Sequence, residues 1–137
     1  MGAAANSLTG TLKRNLHVTP RGLEQVRMTV PIWIDTTVNV LAAAAYKILT
    51  IEAQTMVFGG HLIVQTVEVA ADTISVGDVT AANTWLAATA INALGMTAFT
   101  GAALYYAAAN EVQITASAAI TVAKFWILVQ LQYLNTA

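Results

Sequence analysis

The chain of 137 residues contains no cysteine and only two prolines. The absence of cysteine excludes disulfide bonds and thiolate metal ligands. A chain of this length forms one domain and buries a core without such cross-links. Its stability must therefore come from the packing of apolar side chains and from backbone hydrogen bonds.

Charge is also scarce. Only 9% of the residues are charged, whereas soluble domains average about 25%. Apolar residues reach 57% and aromatic residues only 7%, so alanine and the aliphatic residues supply the excess. Because a soluble monomer usually carries a mixed, charged surface, this composition indicates a surface covered by a membrane or by neighbouring subunits.

A membrane span is not expected. The uncharged run at residues 79–110 is long enough to cross a bilayer, but it is interrupted by asparagines, threonines and two glycines. No cluster of basic residues flanks it to set an orientation. Residues 1–10 lack the apolar centre of a signal peptide. Neighbouring subunits therefore account for the composition better than a membrane does.

The charges that are present are unevenly distributed. Four of the six basic residues and one acid precede residue 28, giving +3 there and −4 in the remainder. Residues 1–23 show little periodicity and predict an extended N-terminal arm before a domain at residues 24–137. The arm either reaches an acidic partner surface or is a disordered tail. Dispersed cations without interleaved aromatics argue against nucleic acid as the partner. The basic residues assigned to this contact are Lys13, Arg14, Arg21 and Arg27.

The domain has the pattern of an antiparallel β-protein. Residues 26–34 alternate between apolar and other side chains, and Pro31 predicts that this strand lies at an edge or carries a bulge. Residues 121–133 place one uniformly apolar face on the strongest core strand of the sequence. Gly59-Gly60 predicts a hairpin or a bulge. Residues 41–46 are alanine-rich and favour a helix by propensity, and residues 79–101 are consistent with either a short helix or an irregular excursion. Seven or eight short strands indicate an all-β fold, a sandwich or jelly-roll-like domain, rather than a parallel α/β fold.

No catalytic or metal-binding constellation is visible. The two histidines, His17 and His61, have no third ligand at metal spacing, and the three serines lie outside any nucleophile elbow. Phosphate-loop and dinucleotide fingerprints are missing as well. We therefore expect neither a cofactor nor an enzymatic activity. Aromatic residues are the remaining candidates, for a ligand platform or a subunit interface, although core packing is the commoner role for any one of them. Trp33 is among these aromatics. Tyr105 and Tyr106, as neighbours on a strand, must face opposite sides. The candidates assigned to a subunit interface are Trp85, Phe99, Tyr105 and Tyr106.

From residue 45 onward the sequence resembles small tailed-phage virion structural proteins, including capsid decoration (cement) proteins. The resemblance is carried by residues 46–51, 73–78 with their "VGD" turn, 85–86, 104–106, 111–115 and 124–129. It implies a homotrimer on the capsid surface that bridges capsomers of the major capsid protein, made in the host cytoplasm. One departure is that residues 79–84 replace the acidic, glycine-rich loop usual after this turn.

Three hypotheses follow. The first is a non-catalytic decoration subunit that stabilises a phage head. The alternative is a carbohydrate- or receptor-binding module of a phage tail or fibre, which would use the exposed aromatic residues. The last is a small enzyme with a site assembled across subunits, for which the sequence offers no nucleophile–base pair.

Overall fold

A computed structural model describes residues 27–134. This part of the chain forms nine β-strands and no helix, and hence no helix able to cross a membrane. In chain order the strands are β1 (Met28–Asp35), β2 (Ala45–Ile51), β3 (Thr55–Thr66), β4 (Thr73–Gly77), β5 (Leu86–Ala90), β6 (Gly95–Ala98), β7 (Leu104–Tyr106), β8 (Asn110–Ala116) and β9 (Lys124–Tyr133).

The strands form two antiparallel sheets. The first has the order β1-β9-β3-β6, and β7 pairs with β3 on the same side as β6. The second has the order β2-β8-β4-β5. Buried side chains from both sheets make one core, which gives a β-sandwich and confirms the predicted fold class. The predicted arm, with Lys13, Arg14 and Arg21, lies outside the described residues.

The predicted core strand is β9, and it lies inside the first sheet between β1 and β3. Its side chains alternate strictly between the core and the outer face, as the period of two requires. Phe125, Ile127 and Val129 are each fully buried. Because an inner strand has a neighbour on each side, β9 also anchors the C-terminal part of the described chain to the sheet.

Pro31 lies in an edge strand and Gly59 in a β-bulge, two kinds of position that the sequence predicted. Pro31 lies in β1, an edge strand of the first sheet, so its missing N–H costs no ladder hydrogen bond on the solvent side. Gly59 lies in a register shift between β3 and β9, with φ at 138°. The bulge prediction is therefore confirmed and the hairpin prediction is wrong, since β3 runs unbroken through both glycines.

Both helical predictions are wrong. Residues 41–44 form no helix; Leu41 makes an isolated bridge to Ile120, and β2 begins at Ala45. Residues 79–101 instead contain a turn followed by β5 and β6. Alanine-rich segments favour helices only when nothing competes. Here hydrogen bonds to neighbouring strands bind the backbone groups, for example from the Trp85 N–H to the Val76 carbonyl at 3.0 Å.

Candidate interaction surface

The turn that follows β4 is held in place by the carboxylate of Asp78. Its Oδ1 accepts hydrogen bonds from the backbone amides of Thr80 and Ala81, both at 2.9 Å. Its Oδ2 accepts a hydrogen bond of 2.6 Å from the Tyr106 hydroxyl on β7. Gly77 is required beside it, because a Cβ there would lie 2.0 Å from the Ala81 carbonyl oxygen. The "VGD" turn is thus a fixed connection between the two sheets.

The environment of this pair shifts both pKa values. Burial raises the pKa of the Asp78 carboxyl, but the hydrogen bonds from Tyr106 and from the two amides outweigh burial and leave it below its usual value. Burial also raises the pKa of the Tyr106 hydroxyl, and the bond to the Asp78 carboxylate raises it further. The tyrosine therefore stays protonated and continues to donate its hydrogen bond.

We expect the stabilisation from Asp78 to depend on pH. Because the folded-state pKa lies below the unfolded value of 3.8, the carboxylate stabilises the fold above about pH 4 and loses this effect as the pH falls through the folded-state pKa. The free energy of unfolding should thus exceed that of Asp78→Asn at pH 7 and approach it as the pH falls below the folded-state pKa. Denaturant titrations of both proteins between pH 2 and pH 7 test this. A constant difference across that range would contradict it.

Two of the four predicted interface aromatics lie in the core of the protomer. Trp85 is 1% exposed, and its ring meets that of Tyr106 edge-on at a centroid distance of 6.1 Å. Tyr106 is itself buried. Neither side chain has surface left for a neighbouring subunit, so both leave the set of interface candidates. The sequence could not separate them from exposed aromatics, because burial depends on the strands that cover them.

The other two predicted aromatics differ in position. The Phe99 ring follows β6, is half-buried and packs against the core beside Gly60. Tyr105 is 50% exposed. Because it lies opposite Met56 on β3, it belongs to the outer face of the first sheet, whereas Tyr106 points inward, as their adjacency predicted. Tyr105 is therefore the predicted candidate with the most surface available for a partner.

The same outer face carries an apolar row that crosses four of the five strands of the first sheet. Trp33 on β1 lies opposite Trp126 on β9, Trp126 lies opposite Ile63 on β3, and Ile63 lies opposite Met96 on β6. Residues directly opposite each other point to the same side of a sheet, so the four side chains are neighbours. We call this set the tryptophan row. Its two ends are the most exposed members, with Trp33 at 41% and Met96 at 65%.

A second row, apolar except for His61, lies beside the first. It consists of Pro31, Leu128, His61 and Ala98, which face one another across the same four strands. The two tryptophan rings are also in contact, with centroids 5.0 Å apart and planes tilted by 49°. The centre of the outer face is therefore largely apolar and aromatic over its full width.

Charged groups border this apolar centre. Lys124 and Asp35, two residues beyond the β9 and β1 tryptophans and on the same face, form an ion pair with Nζ and Oδ2 3.8 Å apart. On the opposite side, the guanidinium of Arg27 lies 3.7 Å from the centre of the Phe58 ring. Of the four basic residues assigned to a partner contact, Arg27 is the one within the described range. It stacks on the sheet, where cation–π attraction holds it.

The alternation within single strands signalled these outer residues. It placed Lys124, Trp126 and Leu128 on the face of β9 opposite the core. What single-strand patterns could not supply is which strands are neighbours, because the tryptophan row joins residues from position 33 to position 126. The tryptophan row could therefore not be predicted from the sequence.

Metal-binding clusters and cavities are the other possible functional features of the described residues. Residues 27–134 hold no cluster of three or more histidine, aspartate or glutamate side chains that could bind a metal ion. A depression of about 580 Å³ lies over β2 and β8, lined in part by Lys47 and Glu111, whose charged groups are 3.7 Å apart. A groove of about 290 Å³ between β1 and β2 is mainly apolar. The most extensive feature is thus the apolar outer face.

The fold is similar to chains in three solved phage capsids. A chain in the capsid asymmetric unit of cyanophage Pam1 gives a TM-score of 0.67 at 16% identity, over 85% of this chain and 91% of the other. For the acid-stable capsid of Helicobacter pylori bacteriophage KHP30 the TM-score is 0.61 at 16% identity, with 77% and 86% covered. For the capsid of Ralstonia phage GP4 it is 0.59 at 15% identity, with 80% and 86% covered. No protein-family model matches the sequence, and no curated protein matches it.

Proposed function

We propose that this protein is a non-catalytic structural subunit of a phage virion, and more specifically a decoration subunit that stabilises the head by bridging capsomers of the major capsid protein. The observation that carries the proposal is the fold likeness to chains from three phage capsids. Each alignment covers most of both chains, so the matched chains are about as long as this one. A small single-domain chain in a capsid suits an accessory subunit.

The strand connectivity supports a capsid role. The chain alternates between the sheets from β1 to β4 and again from β7 to β9. With β7 taken as an extension of β6, since both pair with β3, the sheet orders fit an eight-stranded jelly roll. We infer that topology here. Jelly rolls are frequent among viral capsid and lectin domains, which favours either of the two phage hypotheses.

The composition of the surface favours a protein that assembles with neighbouring subunits over a free monomer. Only 9% of the residues are charged. The outer face of the first sheet carries apolar side chains that a monomer would leave in water. A subunit held between copies of itself and a shell would bury such a face, because specific interfaces remove several hundred Å² per partner from water.

The location of the protein in a purified particle tests the proposal. Immunogold labelling or cryo-electron microscopy of virions should place the protein on the head surface, in many copies. Light scattering of the isolated protein at micromolar concentration should give an oligomer, and we expect a trimer. Location in the neck or tail, or absence from the particle, would contradict the decoration role.

The basic arm gives a separate prediction. We propose that residues 1–23 contact an acidic surface of the shell, through Lys13, Arg14 and Arg21, with Arg27 where the arm joins β1. Deletion of residues 1–22 should leave the melting temperature nearly unchanged but weaken binding to heads that lack the protein. Binding of the full-length protein should weaken with added salt and that of the truncated protein much less, because opposite charges are screened. A truncated protein that fails to fold would show instead that the arm belongs to the domain.

Carbohydrate binding is the second candidate function, and the paired tryptophans favour it. Trp33 and Trp126 present aromatic surface side by side on the outer sheet. Tyr106 is buried and cannot contribute to such a site. A glycan array separates the two functions. Specific binding that is lost on Trp33→Ala, together with location in the tail, would favour the receptor-binding module.

A further inference from the structure

We propose that the outer face of the first sheet, centred on the tryptophan row, is the surface through which a second copy of this chain binds. The inference deepens the proposed function and rests on it only for the expectation that copies assemble. Its basis is the row itself, in which Trp33, Trp126, Ile63 and Met96 follow one another across four strands.

The area of this face suits a protein partner. The four strand positions are spaced by about 4.8 Å. β1, β9 and β3 each span about 27 Å or more, and β6 and β7 together fill most of the fourth position, which gives a projected area of roughly 500 Å². A neighbouring copy that covers this face, in a trimer or another closed oligomer, would bury about 1,000 Å² counted over both partners, which is the lower limit for a specific protein–protein interface. The tryptophans and the methionine are residue types enriched at interface centres.

The charge pattern favours a copy of the same chain over a charged partner. The acid and the base beside the row, Asp35 and Lys124, already pair with each other. Arg27, the charged group at the other border, lies over the Phe58 ring. A neighbouring copy that covers the face would therefore have to desolvate few charges. A strongly acidic or basic partner would gain little from this face, because the apolar centre carries no charge of its own. The net-basic arm and this face thus suit different partners.

The β1 edge of the sheet is also consistent with contact between copies through the face. Pro31 lies in the edge strand β1, so that edge is a poor template for another strand. β6, at the opposite edge, is exposed along all four of its residues and contains no charge. At the β1 edge, copies are therefore expected to meet through side chains across the face and not by continued strand pairing.

The test is a charge-introducing double variant, Trp33→Lys with Met96→Lys, at the two exposed ends of the row. The matched control is Val69→Lys with Val79→Lys, since both valines are exposed and lie outside the row. Sedimentation over a concentration series should show the dissociation constant of self-association raised by roughly tenfold or more in the row variant, because lysines there must be desolvated. The control should associate like the unmodified protein.

Three results would overturn the inference. The first is an unmodified protein that is monomeric at micromolar concentration, even if it is found on the head. The second is a row variant that associates normally. The third is a row variant that keeps its oligomeric state but no longer binds heads, which would assign the face to the shell. Absence of the protein from the virion would instead contradict the proposed function and leave this inference standing.

A second measurement is independent of the folding of the variant. Dilution of the unmodified protein from above to below its dissociation constant should shift its tryptophan emission to longer wavelength. The reason is that Trp33 and Trp126 become more exposed to water, whereas Trp85 stays in the core. Emission that does not change on dissociation would contradict burial of the row between copies.

Discussion

Replacement of Trp85 by alanine should lower the free energy of unfolding by about 3–5 kcal/mol, the usual loss for a buried tryptophan. The side chain is 1% exposed and packs edge-on against Tyr106. Its removal leaves a cavity beside the Asp78 turn, which the backbone of the surrounding strands cannot close. Thermal unfolding followed by circular dichroism should show a melting temperature lower by roughly 10–20 °C.

Two comparison variants sharpen this test. Trp85→Phe keeps an aromatic ring in the site and should lose less than half as much stability. Leu94→Ala removes an apolar side chain that is 69% exposed, so it should change the free energy of unfolding by less than about 0.5 kcal/mol. A loss for Trp85→Ala no larger than that for Leu94→Ala would show that Trp85 is not part of the core.

Replacement of Glu68 by alanine has the second largest expected effect. The carboxylate is 6% exposed. Its Oε1 accepts hydrogen bonds from the amides of Val122 at 2.9 Å and Ala123 at 3.0 Å, immediately before β9. Without it these donors lose a charged acceptor, and Ala123 is buried away from water. We expect a loss of about 2–4 kcal/mol, because unpaired buried groups carry their full desolvation cost.

Asp72→Ala is the matched control for Glu68→Ala. Asp72 is partly exposed and lies near the same end of the sandwich, in the segment before β4. Its removal should change stability by less than about 0.5 kcal/mol. Hydrogen exchange adds a local readout, since the amides of Val122 and Ala123 should exchange faster in Glu68→Ala. Unchanged exchange at both amides would contradict the role given to Glu68.

The behaviour of Glu68 shows why buried acids were not recognised from the sequence. Asp78 follows a glycine and has the pattern of a solvated turn residue, yet it is 6% exposed and accepts a bond from Tyr106. Glu68 continues an alternating strand pattern and receives amides more than 50 residues away. In both cases a partner is distant in the sequence: Tyr106 on β7 for Asp78, and the segment immediately before β9 for Glu68. Local patterns describe the residue's own strand and say nothing of what covers it.

Strands were predicted correctly where the segment has a single clear periodicity. β1 and β9 were predicted from alternation, and the core face of β9 is the predicted one. The predictions failed at residues 41–46 and 79–101, where alanine and threonine give no clear period. There the strand partners decide the backbone conformation, since pairing with β4 and β3 supplies hydrogen bonds that a short helix could not exceed.

By itself, the sequence determined an all-β protein with little charge, one strong core strand and a basic N-terminal segment, because composition and alternation are local properties. The tertiary structure alone decided which aromatics are buried and which are exposed. In it, Trp85 and Tyr106 lie in the core, and Trp33, Trp126 and Met96 lie in one row on the outer face. The reason is physical: neighbours in a sheet are chosen by long-range backbone pairing, which no short segment of the chain encodes alone.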